Sequence, residues 1–248
     1  MNNGERVRAI LDYLKEHKTA TVEQLSSELY VSPATIRRDL TEMQKLGQVE
    51  RNHGGAVLVE NADEISIFIR LAKNAKEKEQ TASLALAHIP DFASVFIDNS
   101  STCLALAERM NLSHKTVVTN GLQVAMRLSQ KDDVNLIMPG GEVHYNTNAV
   151  TGSMAVRALS NFRFDLMLCS CAALSSDGTY EHSLETMQLK KTAFERSRRS
   201  ILLADYTKFG QAATYRTMSL ADYSLIVSNT DDIQTAKLRK AGINIINK

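Results

Sequence analysis

Apolar positions recur at three- and four-residue spacing in three short stretches near the amino end of the chain, the pattern of helices that each bury one face. Val7, Ile10, Leu11 and Leu14 form the first stripe, Leu25 and Leu29 the second, and Ile36, Leu40 and Met43 the third. The second stripe follows Thr21-Val-Glu-Gln24, a capping box in which each polar side chain satisfies a backbone donor of the first turn. The third follows Ser32-Pro33, where serine accepts from free first-turn amides and proline occupies a position that needs no donor. Tyr30-Val-Ser32 is then a short connection between the second and third helices, which makes the stretch a helix-turn-helix. After Gly47, a C-cap, Val49 to Val57 reads as two short strands around a Gly54-Gly55 turn, a β-wing.

Farther along the pattern changes. Leu58 to Lys73 loses clear periodicity, and residues 74–88 read as a helix with its apolar face at Ala75, Ala82, Leu86 and, just beyond, Ile89. Seven apolar runs of strand length then alternate with helical patterns: 94–98, 116–119, 134–138, 165–172, 201–204, 224–227 and 243–246. Such alternation predicts a largely parallel sheet flanked by helices. The chain is therefore expected to be α/β with an N-terminal winged helix-turn-helix over 1–57, a linker over 58–73 and an α/β domain over 74–248. A length of 248 residues accommodates both modules.

Hydrophobic residues at 44% and charged ones at 23% are globular values, and no apolar run approaches the roughly 20 residues of a membrane span. The first residues, Met1-Asn-Asn-Gly-Glu-Arg6, lack a signal-peptide core, so a cytoplasmic location and no membrane partner are expected. Cys103, Cys169 and Cys171 contain no Cys-x-x-Cys and read as packing thiols, the last two on one face of one apolar strand. None of the six histidines has metal-ligand spacing, so neither metal nor cofactor is expected.

Charge does not advertise nucleic acid: residues 1–60 carry eight Lys or Arg against nine Asp or Glu. Placement does, because Arg37 and Arg38 fall on the third helix and Arg51 on the wing. Ser32, Pro33, Ala34, Thr35, Arg37, Arg38, Arg51 and His53 are the residues expected at DNA. The same spacing also fits a three-helix bundle with merely solvated arginines.

Ligands of open parallel sheets bind outside the carboxyl ends of the strands. The first strand ends in Asp98-Asn-Ser-Ser-Thr102 ahead of a helix whose free amides could hold an anion. The second ends in Thr119-Asn120-Gly121 and the third in Pro139-Gly-Gly141; Thr151-Gly-Ser153 opens another helix. Asp205-Tyr-Thr-Lys208-Phe-Gly210 closes the fifth and places a cation where a phosphate could sit.

These motifs, together with Val31 to Leu40 and Arg51-Asn-His-Gly-Gly-Ala56, resemble the DeoR-type bacterial transcriptional regulators, in the same order and over nearly the whole chain. The resemblance implies a repressor of a carbohydrate or related metabolic operon, released from operator DNA by a phosphorylated sugar-type metabolite and acting as a dimer or tetramer. It implies a second domain with the fold of ribose-phosphate isomerases and glucosamine-phosphate deaminases that binds without turnover. By carry-over the effector site comprises Asp98, Ser100, Ser101, Thr102, Thr119, Asn120, Gly141, Gly152, Glu185 and Lys208, with no catalytic residue. The chain departs from the pattern where Ser100, Ser170 and Ala173 stand in place of usual glycines. The alternative reading is a sugar-phosphate isomerase or deaminase-like enzyme fused to a DNA-binding domain, with Glu185 or Asp98 as base.

Overall fold

A computed structural model describes residues 3–45, 49–52, 54–58 and 66–247. The chain divides into two compact units between Arg70 and Leu71. In the first, α1 (Asn3–His17), α2 (Val22–Leu29) and α3 (Pro33–Lys45) enclose Ile10, Leu14, Leu25, Ile36, Leu40 and Met43, all fully buried. The apolar stripes of the sequence are thus the core. The capping box forms, with Gln24 N donating to Thr21 Oγ1 at 3.1 Å and Thr21 N to Gln24 Oε1 at 2.8 Å. Helix α3 starts as expected, its Thr35 amide donating to Ser32 Oγ at 3.3 Å.

Strands β1 (Thr19–Thr21), β2 (Val49–Asn52) and β3 (Gly55–Leu58) form an antiparallel sheet in the order β1-β3-β2. The expected Gly-Gly turn is corrected here: Gly55 lies inside β3, opposite Asn52 and Thr21, and only Gly54 of the two glycines is in a turn. A Cβ at Gly55 would run into the Ala20 carbonyl, which explains a glycine within a strand. Gly47 and His53 lie outside the described residues.

The division falls within a short helix, α4 (Ile67–Ala72), in a stretch expected to be linker. The second unit alternates α5 (Ala75–Leu86), α6 (Ser101–Arg109), α7 (Leu122–Leu128), α8 (Gly152–Leu159), α9 (Leu184–Glu195) and α10 (Asp232–Lys240) with strands. In chain order these are β4 (Ser94–Ile97), β5 (Thr116–Thr119), β6 (Asn135–Ile137), β7 (Glu142–His144), β8 (Ala149–Thr151), β9 (Leu166–Cys169), β10 (Ala173–Ser175), β11 (Gly178–Glu181), β12 (Ser200–Leu203), β13 (Tyr215–Arg216), β14 (Leu225–Val227) and β15 (Ile245–Ile246). The seven apolar runs are the seven strands of one parallel sheet, ordered β15-β14-β12-β9-β4-β5-β6. Its two faces alternate along each strand: Val95, Ile97, Leu166 and Leu168 pack on one side, Phe96, Met167 and Cys169 on the other. Two small antiparallel sheets, β7-β8 and β10-β11-β13, were not anticipated, because strands of two to four residues carry too little periodicity.

Helix α5 buries a different face from the one its apolar spacing suggested. Lys78, Thr81, Ala82 and Ala85 are inside, while Leu86 is exposed. The polar groups can turn inward because Lys78 Nζ donates to Lys73 O at 2.6 Å and Thr81 Oγ1 to Glu77 O at 2.9 Å.

At the amino end of the sheet Asp165 accepts from Ala93 N at 2.9 Å and from Ser94 N at 3.0 Å, which holds its carboxyl below the usual range. A depressed folded-state pKa contributes stability above the unfolded value, about 3.9, and that contribution is lost as pH falls through the folded value. Asp165→Asn is accordingly expected to blunt the acid limb of a circular-dichroism titration below about pH 4. An acid limb superimposable on that of the parent protein would refute this.

Candidate functional site

In the first unit, Ser32, Pro33, Ala34, Arg37 and Arg38 are exposed along the amino half of α3, and Thr35 is half-buried beneath them. Arg37 pairs loosely with Glu23 across solvent, at 3.6 Å. Arg38 makes no side-chain hydrogen bond or ion pair among the described residues. Arg51, on β2, donates to Thr41 Oγ1 at 2.9 Å and so ties the wing strand to α3. Beneath this face lies a pair that patterning missed: Arg6 of α1 grips Asp39 of α3 through Nε to Oδ2 at 2.5 Å and Nη2 to Oδ1 at 3.0 Å. The fork fixes the rotation of α3 about its own axis, and with it the direction of Arg37 and Arg38.

In the second unit the expected residues gather at the carboxyl ends of the central strands. Asp98 follows β4; Ser100, Ser101 and Thr102 begin α6, where Ser100 Oγ caps the helix by accepting from Cys103 N at 3.1 Å. Ser100 has extended backbone, so its side chain serves as a cap without strain. Thr119 Oγ1 accepts from Gly121 N at 3.1 Å, and Asn120 holds the β7-β8 hairpin through Val150 N to Asn120 O at 2.7 Å. A Cβ at Gly121 would meet Asn99 Cα, so the β4 and β5 loops touch. Gly141 and Gly152 flank that hairpin; both have positive φ, and a Cβ at Gly141 would strike Thr151 O. Lys208 closes a short 3-10 turn capped by Asp205, near enough to Cys171 for both charges to act on its thiol. Glu185 stands apart, exposed on the first turn of α9 with no side-chain partner among the described residues.

The centre of the arrangement is a buried charge cluster absent from the sequence expectation. Lys190 Nζ on α9 lies 2.9 Å from Asp98 Oδ2 and 2.6 Å from Glu181 Oε1, and donates to Ser170 O at 2.8 Å. Burial pushes the Lys190 ammonium down, but Asp98 and Glu181 outweigh it and hold its pKa well above the usual lysine value. Burial likewise pushes Asp98 up, and Lys190 with the Ser100 side chain and the Ser170 amide outweighs that, leaving the carboxyl below its usual range. Asp98 is therefore a fully engaged anion that shapes the loops around it.

Four buried polar atoms on the same rim have no hydrogen-bond partner among the described residues: Asn120 Oδ1 after β5, Ser170 Oγ after β9, Asp205 Oδ2 after β12, and Thr151 Oγ1 at the start of α8. A buried polar group without a partner costs about 1–3 kcal/mol, so four in one region mark a surface shaped for something polar. Burial pushes the thiols of Cys103 and Cys169 up and that of Cys171 to about 12, so all three stay protonated and unreactive. Strand β9 ends at Cys169, so the two later thiols share a core cluster but not a strand. Among the described residues no cluster of His, Cys, Asp and Glu could hold a metal ion, and no helix is long and apolar enough to cross a membrane.

Comparison with known proteins gives matches over both units. A family model described as a DeoR-like helix-turn-helix domain matches residues 6–62, and one described as the DeoR C terminal sensor domain matches 73–230. The glycerol-3-phosphate regulon repressor of Escherichia coli (strain K12) is 32% identical over 223 residues, covering 89% of this chain and 88% of its own. The HTH-type transcriptional repressor GlcR of Bacillus subtilis (strain 168) is 32% identical over 231 residues, 92% of this chain and 89% of its own. The L-fucose operon activator of Escherichia coli (strain K12) is 31% identical over 235 residues, 93% and 97% respectively. Among solved structures, ribose 5-phosphate isomerase A from Methanocaldococcus jannaschii aligns over 55% of each chain at 12% identity and a TM-score of 0.39, too distant to bear on the site.

Proposed function

Because the chain belongs to the DeoR family of helix-turn-helix transcriptional regulators, we propose that it represses a carbohydrate or related metabolic operon and leaves operator DNA when a phosphorylated sugar-type metabolite occupies the strand-end rim. The observation that carries the sensing half is the set of four unpartnered buried polar atoms beside the capped start of α6. Amides at α6 and the Lys208 cation suit an anion, and the hydroxyl and amide groups suit a polyol. Asp98 acts here by positioning the loops; Ser101, Thr102, Thr119, Asn120 and Lys208 supply contacts, and Gly141 and Gly152 give the backbone close approach. The protein acts in the cytoplasm, as a dimer or tetramer, since paired half-sites multiply the specificity of one short recognition helix. Repression is favoured over activation by the names of two of the relatives, although a third is an activator. Turnover gains no support, because Asp98 is locked in an ion pair and Glu185, the other base that reading would need, stands exposed and apart from the rim.

On the DNA side, Ser32 and Arg51 meet phosphates while Pro33, Ala34, Thr35, Arg37 and Arg38 face the major groove, with His53 nearby on the wing. Fluorescence anisotropy with DNA from upstream of the protein's own operon, with and without a panel of sugar phosphates, tests both halves. Arg38→Ala should cost about 1–3 kcal/mol on operator DNA and little on random DNA, whereas Arg51→Ala should weaken both alike and lower the salt slope by about one. Equal losses for both variants on both DNAs would defeat the assignment, and DNA binding indifferent to every sugar phosphate would defeat the sensor.

A further inference from the structure

Ser170 occupies a position in the rim that no conformational need explains. Its backbone is held from both sides, the amide donating to Asp98 Oδ2 at 2.9 Å and the carbonyl accepting from Lys190 Nζ at 2.8 Å. The side chain is buried, 3% exposed, and its hydroxyl is left without a partner. Two charged groups thus fix a hydroxyl whose bonding capacity is unspent.

Its neighbours define what would use it. In the strand order β12-β9-β4-β5, Ser170 stands between Asp205 on one side and Asn120 on the other. Strand spacing puts it about 5 Å from the end of β12 and about 10 Å from the end of β5. Asp205 Oδ2 and Asn120 Oδ1 can only accept hydrogen bonds, and Ser170 Oγ can donate as well as accept. A ligand made of acceptors alone, such as sulfate, cannot satisfy this row. A chain of hydroxyl groups can, because each donates to one side and accepts from the other.

We infer that Ser170 is a specificity-determining contact, its hydroxyl reading one hydroxyl of a polyhydroxylated ligand laid across the ends of β12, β9 and β5. This rests on the proposed sensing function and adds to it the residue that selects among sugar phosphates. Lys190 and Asp98 act as positioning residues for that contact.

Calorimetric titration of the full-length protein with glucose 6-phosphate, fructose 1-phosphate, glycerol 3-phosphate and inorganic phosphate provides the test, in the parent and in Ser170→Ala and Ser170→Gly. For a sugar phosphate that binds the parent, both variants should bind about tenfold more weakly, the scale of one lost hydrogen bond to a group left unpaired. Affinity for inorganic phosphate should not change. Within the monodeoxy series of that sugar phosphate, one analogue should bind parent and variants alike, because it lacks the hydroxyl that Ser170 contacts; a merely structural role for Ser170 would weaken every analogue equally. Unchanged affinity in both variants overturns the inference and leaves the sensing function standing. Failure of every sugar phosphate to bind the parent overturns the sensing function, and this inference with it.

Discussion

Lys190→Met is expected to lower the free energy of unfolding by about 3–5 kcal/mol, the cost of removing one partner from a buried ion pair and leaving the other uncompensated. The case is stronger than usual here because two carboxylates, Asp98 and Glu181, share the single ammonium, and all three groups are more than nine-tenths buried. Methionine keeps most of the volume, so the loss reports charge and not a cavity. The sign with pH follows. Without the ammonium, burial raises the folded-state pKa of the carboxyls, so the folded protein binds more protons than the unfolded chain and the deficit shrinks as pH is lowered from 7 toward about 5. Urea unfolding of parent and variant at several pH values measures both effects. A deficit under about 1 kcal/mol, the range of a surface pair, would show that the cluster is solvated and the argument wrong. Since Lys190 also holds the Ser170 carbonyl, the folded fraction of the variant should respond poorly to any sugar phosphate that stabilises the parent.

Asp39→Ala is expected to weaken operator binding about tenfold or more, because a recognition helix turned out of register forfeits base contacts worth about 1–3 kcal/mol each. Asp39 is buried, and its carboxylate is spent on Arg6. Replacing both partners with apolar residues of similar size, Arg6→Met with Asp39→Leu, should restore thermal stability, as buried pairs generally contribute little net stability. If the pair serves orientation, the double variant still discriminates operator from random DNA poorly. Recovery of full discrimination along with stability would show that the pair only fills space.

Much of the fold could be read from periodicity, since the three amino-terminal stripes and the seven parallel strands are where the apolar pattern put them. The charged residues that matter most escape apolar patterning for one reason. Asp39 sits on the stripe of Ile36, Leu40 and Met43; Lys190 on that of Thr186, Leu189 and Ala193; Lys78 on that of Thr81, Ala82 and Ala85. Each is an ionisable residue at core spacing, and a helix does not place one there unless a partner waits. That signal was present in the sequence, but Arg6 and Asp98 lie far away along the chain, and the nearer partners, Glu181 nine residues before Lys190 and the Lys73 carbonyl five before Lys78, are brought to them only by the fold. Strand-end loops were legible through Asp98, Thr119 and Asp205, whereas the orphaned hydroxyl of Ser170 became visible only with the backbone that pins it. The short hairpins β7-β8 and β10-β11 pack against α8 and α9, which are distant from some of these strands along the chain, and local patterning does not encode that.

The strand order of the large sheet also sets a clock. β4 lies between β5, which follows it closely in the chain, and β9, and Asp98 meets Ser170 across a separation of 72 residues. At about 5–20 residues per second, a ribosome needs about 4–14 seconds to deliver the second neighbour. For that interval the growing chain carries an apolar strand with one unpaired edge, and next to it a carboxylate whose lysine has not yet been made.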